Sequence, residues 1–344
     1  MRECAWSVHG AALLLLAGCA PVHDRLAMAT EPAIEDTQSA AAAEGNAEEI
    51  SDSRIVGGTE APRGSATWQA QIFSTFQYDE SHTREDEQLP PDQRLYLADK
   101  DNWEKIHRCG GVLLRDNFVL TAAHCVKGAD FGLKRQVRLG TQDLRREGAV
   151  FDIVGWRVHN GYDRNLSPSP HDLALLRIRP SNAAARRLQT NLLAIDILGS
   201  RTDDIPVGPT DSLRVTGWGR TKQRESGSGE LAADGTRNPM SPILMQINQR
   251  SDPNACGSVP RFATQLRGLT ICAVPQRTGQ DSCNGDSGGP MTVGRGNDRF
   301  LVGLVSWGRG CALRGEPAIY TDVTAQEHRQ WIRDTKLALL RADN

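Results

Sequence analysis

Apolar residues fall along this chain in short runs separated by turn-forming residues, with only one long stripe. From residue 110 onward the runs are GGVLL, FVLTAA, QVRLG, LALLRI, LRVTGWG, FLVGLVSW and AIYTDV, bounded by Gly, Pro, Asn and Asp. Runs of that length, rich in Val, Ile, Leu and Thr, predict short strands, so the body reads as all-β, sandwich or barrel. The stripe is Ala325 to Leu340, where Trp331, Ile332 and Leu339 recur at helical spacing without Gly or Pro, predicting a closing helix over 325–340. Residues 20–54 are rich in Ala and Glu, hold no aromatic residue and offer no periodic apolar face. They predict a disordered tether or prosegment.

The remaining apolar run, Ala11 to Ala17, follows Arg2 and ends in small residues, as in an export signal over 1–18. It is too short to remain as a membrane-spanning helix. Leu16-Ala17-Gly18-Cys19 resembles a bacterial lipobox, in which Cys19 is lipidated after cleavage before it. Ordinary cleavage after Ala20 is the other reading. Export places the protein in the bacterial envelope or outside it.

The chain carries a net charge of -2. Eight acidic residues against two basic ones give -6 over 20–54, and Arg2 cancels Glu3, so residues 55–344 carry +4. That is too little to argue for a nucleic-acid or membrane partner. Beyond Cys4 and Cys19 there are six cysteines: Cys109, Cys125, Cys256, Cys272, Cys283 and Cys311. An even set behind an export signal favours disulfides, although sequence alone leaves their connectivity open. No C-x-x-C or H-x-x-x-H cluster points to a metal, and no cofactor motif is present.

Chemistry enters with GDSGGP, Gly285 to Pro290, which sets Ser287 on a glycine turn. A serine hydroxyl is a weak nucleophile near neutral pH and needs a base, which in turn needs a carboxylate to fix its tautomer. LTAAHC supplies His124 and HDLALL supplies Asp172. His171 and His159 read as ordinary loop histidines.

The chain order His, Asp, Ser belongs to the chymotrypsin group. Residues 55–335, from IVGG to the final helix, resemble the trypsin-like serine proteases throughout. The resemblance implies two six-stranded antiparallel β-barrels, roughly 55–185 and 205–322, with the active site between them. It implies that His124 is the general base, Asp172 its orienting partner and Ser287 the nucleophile, with the Gly285 and Ser287 N–H groups as the oxyanion hole. Asp281, with Ser282 beside it, matches the base of a pocket for Arg or Lys. Ser306, Trp307 and Gly308 match the strand that pairs with substrate, and Gly308 and Gly310 the open pocket wall. Ala318 stands where family trypsins usually have Gly, and its methyl group intrudes on that pocket.

RIVGG fits an activation site: cutting after Arg54, by another protease or by the enzyme itself, would free an Ile55 ammonium to pair with Asp286. The disulfides implied are Cys109–Cys125, Cys256–Cys272 and Cys283–Cys311. The family's calcium loop is poorly matched, with Thr141 where the first acidic ligand is expected, so calcium is not assumed. Residues 76–107 form an unusually long insertion, read as a solvated loop whose acidic residues favour basic residues after the cut bond. A second long loop, Lys222 to Pro242, reads as mobile. The expectation is a monomeric endopeptidase acting on proteins or peptides after Arg or Lys; the alternative is an inactive, protease-shaped binding module.

Overall fold

The computed structural model describes residues 55–342 except 147, 200–211, 226–228, 260–261 and 296–297, so the export signal, Cys19, the tether and Arg54 lie outside the described residues. The chain begins with β1 (Thr59–Glu60). A first closed antiparallel barrel follows, built from β2 (Gln69–Ser74), β3 (His107–Leu114), β4 (Phe118–Thr121), β5 (Arg135–Leu139), β6 (Ala149–Val158) and β7 (Ala174–Pro180) in the order β2-β3-β4-β7-β6-β5. After β8 (Asp196–Ile197) comes the second, from β9 (Leu213–Gly217), β10 (Met245–Ser251), β11 (Thr270–Pro275), β12 (Pro290–Arg295), β13 (Asp298–Gly308) and β14 (Ala318–Asp322). Its strands run β10-β11-β14-β13-β12-β9, and β9 pairs back onto β10 to close it. The fold is therefore two six-stranded barrels, as the family resemblance implies.

Alternation explains why the runs close. In β6 the inward residues Ala149, Phe151 and Ile153 are buried while their neighbours are not, the period of a strand with one face on a core. Phe118, Leu120, Leu139 and Leu175 fill the first barrel, and Val215, Met245, Met291 and Tyr320 the second. Residues 55–60, although they precede the first barrel, join the second: Ile55 is fully buried in its core and β1 pairs with β10.

The closing helix, Gln326–Arg341, buries His328, Ile332, Thr335 and Leu339 on one stripe. It crosses back to the first barrel, where Arg177 donates to the Leu339 carbonyl at 2.8 Å. Gly155 admits this contact, since a Cβ there would stand 3.2 Å from Leu339 Cδ2. Among the described residues, no helix is long and apolar enough to cross a membrane.

The insertion differs from the solvated loop expected of it. It holds helices Glu80–Glu87 and Asn102–Ile106 and buries Leu97 and Trp103. Its acidic residues serve local structure: Asp79 caps the first helix and the buried Asp86 carboxylate accepts from the Leu95 and Leu97 N–H groups. Ion pairs fasten it to the second long loop. Glu230 takes Lys100 at 2.8 Å and Arg220 at 2.6 Å, and Glu104 pairs with Arg237. Among the described residues of that loop, fully buried Asn238 is bonded to Thr221 and Lys222. Charge pairing across 130 residues of sequence is invisible to a reading of local polarity.

Candidate active site

Where the barrels meet, backbone approaches backbone. Gly110 N–H donates to the Ser287 carbonyl at 2.8 Å, and a Cβ on Gly110 would stand 2.9 Å from Gly289 Cα. A Cβ on Gly288 would fall 2.2 Å from Thr121 Oγ1. The paired glycines of HRCGG and GDSGGP thus let the second barrel's Ser287 turn press against β3 and the end of β4. The next turn, Ala123–Cys125, carries His124 and is tied to β3 by the Cys109–Cys125 disulfide.

His124 Nδ1 lies 2.8 Å from Asp172 Oδ2, and the His124 backbone N–H donates to Asp172 Oδ1 at 2.9 Å. Two further donors hold the aspartate: Ser306 Oγ to Oδ2 at 2.6 Å and Thr321 Oγ1 to its carbonyl at 2.9 Å. A register shift in β13 between Val305 and Trp307 marks a bulge at Ser306, a device that re-aims a side chain. Burial alone would raise the Asp172 pKa, but the His124 imidazole and the hydrogen bonds from His124 and Ser306 outweigh it and leave the carboxyl below its ordinary value. A carboxylate so held fixes the Nδ1–H tautomer, leaving His124 Nε2 free to accept a proton. His124 and Ser287 line one groove.

Gly285 adopts φ +101°, open to glycine, and its carbonyl accepts from His107 Nε2 at 2.9 Å. Since a carbonyl only accepts, His107 carries its proton on Nε2, and Nδ1 accepts from Gln71 at 3.2 Å. Burial pushes His107 down to about 4, so it stays neutral in this role.

A pocket of about 170 Å³ opens beside Ser287, walled by Ser306, Trp307, Gly308 and Gly310, with Ala318 on its lining. The Cys283–Cys311 bridge closes one side. Asp281 is buried in it: Oδ2 accepts from the Ala312 N–H at 2.9 Å, while Oδ1 has no partner. Burial raises this carboxyl to about 7, with Asp286 adding to the shift. Ser282 and Tyr320 meet through their hydroxyls at 3.1 Å. Gly310, at φ +84°, abuts the Arg224 carbonyl, so the second long loop props the pocket wall.

Ile55 sits fully buried at φ +53°, a left-handed conformation uncommon for a β-branched residue. Val56 packs on the Cys283–Cys311 bridge, and its carbonyl accepts from the Asp281 N–H at 3.1 Å. Asp286 is wholly enclosed, accepting from the Gly219 and Cys283 N–H groups, each at 2.8 Å. Among the described residues no cation is paired with it, and burial raises its pKa to about 7. The sequence reading missed what makes room for it. A Cβ on Gly217 or Gly219 would stand 2.0 or 2.3 Å from its carboxylate oxygens, so the two glycines of TGWG form its cradle. The roles of His107, Thr321 and the Ser306 bond to Asp172 were missed too, because each contact joins residues more than a hundred positions apart.

The groove holding His124 and Ser287, about 540 Å³, continues along the insertion. None of the acidic residues between Asp79 and Asp92 lines it. Lys105, Arg108, Lys127 and Arg135 do, and among the described residues no ion pair holds any of them. The carboxylates that do line it, Glu104 and Glu230, are paired with Arg237, Lys100 and Arg220, so the unpaired charge on this wall is basic. The third disulfide, Cys256–Cys272, lies apart in the second barrel. Near Thr141 the donors do not suit calcium, since Asp143 is engaged by Arg145 at 2.8 Å and Arg146 at 3.7 Å.

The family model described as Trypsin matches residues 55–332. The chain is similar to Trypsin delta of Drosophila melanogaster, 31% identical over 226 residues, covering 66% of this chain and 78% of that protein. Similarity to Trypsin alpha of Drosophila melanogaster is 31% over 231 residues, 67% of this chain and 78% of that one. Vitamin K-dependent protein C of Mus musculus is 33% identical over 289 residues, 82% of this chain but 51% of the longer relative.

Proposed function

Because this chain belongs to the trypsin family of serine proteases, we propose that it is an endopeptidase cutting after Arg or Lys, made as a zymogen activated between Arg54 and Ile55. Ser287 is the nucleophile, His124 the general base and acid, and Asp172 holds the imidazole and stabilises its charged form. The Gly285 and Ser287 N–H groups receive the oxyanion, each donor contributing about 3–4 kcal/mol to the transition state. The observation that carries this reading is the unpartnered Asp281 oxygen at the foot of the pocket beside Ser287. A substrate cation satisfies it, whereas a neutral side chain leaves a buried charge unpaired. Ala318 narrows the same space.

In the activated enzyme the Ile55 ammonium pairs with Asp286. The described N-terminal residues already lie against 279–283, where the Gln280 side chain donates to the Gly57 carbonyl at 2.7 Å. The basic wall of the groove favours acidic residues after the cut bond.

Three disulfides fit an oxidising, extracellular compartment. They also use all six body cysteines, leaving none to bridge to residues 19–54. A lipid on Cys19 would accordingly hold the zymogen, and cleavage at Arg54 would release the active enzyme. N-terminal sequencing with intact mass, on protein from its native envelope, tests this: active Ile55-started enzyme still carrying lipid would refute the release.

The decisive experiment for the activity is reaction of the cut protein with a serine-directed phosphonate, together with a peptide library. Labelling lost in Ser287→Ala, with cleavage confined to Arg and Lys bonds, is expected. No labelling of the cut protein would favour the binding-module alternative.

A further inference from the structure

Immediately before Asp172, His171 belongs to a cluster of three imidazoles from three separate elements: His159 follows β6, His171 precedes β7, and His328 lies in the closing helix. The His159 and His171 rings stack with centroids 4.4 Å apart, and His328 stands edge-on to both at 5.5 and 5.3 Å. One ring nitrogen from each lies within 4.8 Å of the others. The other such grouping among the described residues, Cys109, His124 and Cys125, has its sulfurs spent in a disulfide.

The proton positions can be deduced. His328 Nδ1 lies 2.6 Å from the Asp322 carbonyl, which only accepts, so Nδ1 carries the proton and Nε2 holds a lone pair. That nitrogen accepts from His171 Nδ1–H at 3.1 Å, and an ion taking both nitrogens would move the His171 proton to Nε2, the side that faces Glu327. Two nitrogens bound tetrahedrally to one zinc ion, at bonds of about 2.0–2.1 Å, are separated by about 3.3 Å. Two of the three rings also have an outer partner of the kind that orients metal-ligating histidines: the Asp322 carbonyl on His328, and the Glu327 carboxylate 3.8 Å from His171 Nε2. His159 Nδ1 accepts from the Gly161 N–H at 3.0 Å, so this ring must turn about its Cβ–Cγ bond to join.

We propose that His159, His171 and His328 form a binding site for a transition-metal ion of the zinc class, and that its occupancy restrains the peptidase through Asp172. Three imidazole nitrogens suit zinc, copper, nickel or cobalt and not calcium or magnesium, which require oxygen donors. Two of the ligands reach Asp172 through adjoining residues. His171 is its chain neighbour. His328 holds the Asp322 carbonyl, next to Thr321, whose hydroxyl donates to the Asp172 carbonyl. An ion drawing these rings together shifts both segments, and with them the carboxylate that orients His124. Turnover falls while the substrate pocket stays open. The binding is independent of the peptidase assignment; the restraint rests on it.

Binding is measured by calorimetric titration of Zn²⁺ into the full chain carrying Ser287→Ala, with Co²⁺ absorption reporting ligand geometry. One Zn²⁺ per chain is expected, with a tetrahedral Co²⁺ spectrum and no competition from Ca²⁺. His159→Gln and His328→Gln should each weaken binding at least about tenfold, the scale on which even outer partners of metal ligands matter. Because His328 is buried and its variant can unfold, His159→Gln, checked by thermal melting, carries the test. In active enzyme, Zn²⁺ should lower kcat with little change in KM, and His159→Gln should abolish that response. Zinc affinity unchanged in His159→Gln, or no binding at millimolar Zn²⁺, overturns the site. Competitive inhibition persisting in His159→Gln places the ion at His124 and equally overturns it. Site-specific binding that leaves kcat unchanged overturns the restraint.

Discussion

Asp286 provides a stability test that separates the uncut from the cut chain. Its carboxyl is raised from 3.8 to about 7 by burial. A folded-state pKa above the unfolded value means that the native state binds the proton more tightly. Stability is therefore full below about pH 4 and falls as pH rises toward 7, by about 4 kcal/mol at roughly 1.4 kcal/mol per pKa unit. Asp281, raised over the same window, contributes a comparable fall. Urea unfolding of the uncut Ser287→Ala chain should thus show a loss of stability between pH 4 and 7 that Asp286→Asn reduces by about half. After cleavage at Arg54 the sign reverses. In the proposed activated form the Ile55 ammonium pairs with the carboxylate, and Asp286→Asn at pH 8 should cost about 3–5 kcal/mol, the penalty for breaking a buried ion pair. Equal effects of Asp286→Asn on cut and uncut protein at pH 8, with the pH slope unaltered, would refute the assignment of this carboxylate to the new N-terminus.

Three other outcomes follow from the same geometry. Gly219→Ala sets a methyl carbon 2.3 Å from Asp286 Oδ2, so the cut enzyme should lose more than about 3 kcal/mol in urea unfolding together with nearly all amidase activity. Glu230→Gln leaves Lys100 and Arg220 without their shared charge; a loss of about 3–5 kcal/mol, read as a melting temperature lower by roughly 10 °C, is expected. Arg108→Glu in the groove wall should lower kcat/KM several-fold for peptides with Asp or Glu just after the cut bond and raise it for those with Lys, measured with peptides differing only there; an unchanged ratio would show that the wall does not read charge.

Much of the molecule was legible in the chain itself. Short apolar runs between turn residues imply strands because alternate side chains of a strand share one face, and the stripe of Trp331, Ile332 and Leu339 implies a helix for the equivalent reason. GDSGGP, LTAAHC and HDLALL could be singled out because each packs a candidate reacting group and the local backbone that presents it into a few residues. What the sequence left open lies in contacts between distant segments. Nothing near Gly217 or Gly219 announces the carboxylate they cradle, and Ser306 is aimed at Asp172 by a bulge that depends on its partner strand. The insertion looked solvated because charge suggests exposure, yet Glu104 is buried and Lys100 and Glu230 half-buried by pairing across it, and the unpaired basic residues are left along the groove. His159 and His171 read singly as ordinary loop histidines, and only the closing helix, returning from the second barrel to the first, brings His328 to them as one cluster. Local periodicity determined the elements and short motifs the candidate reacting residues; the close approach of backbones and the burial of paired charge, both properties of the folded chain, decided what surrounds them.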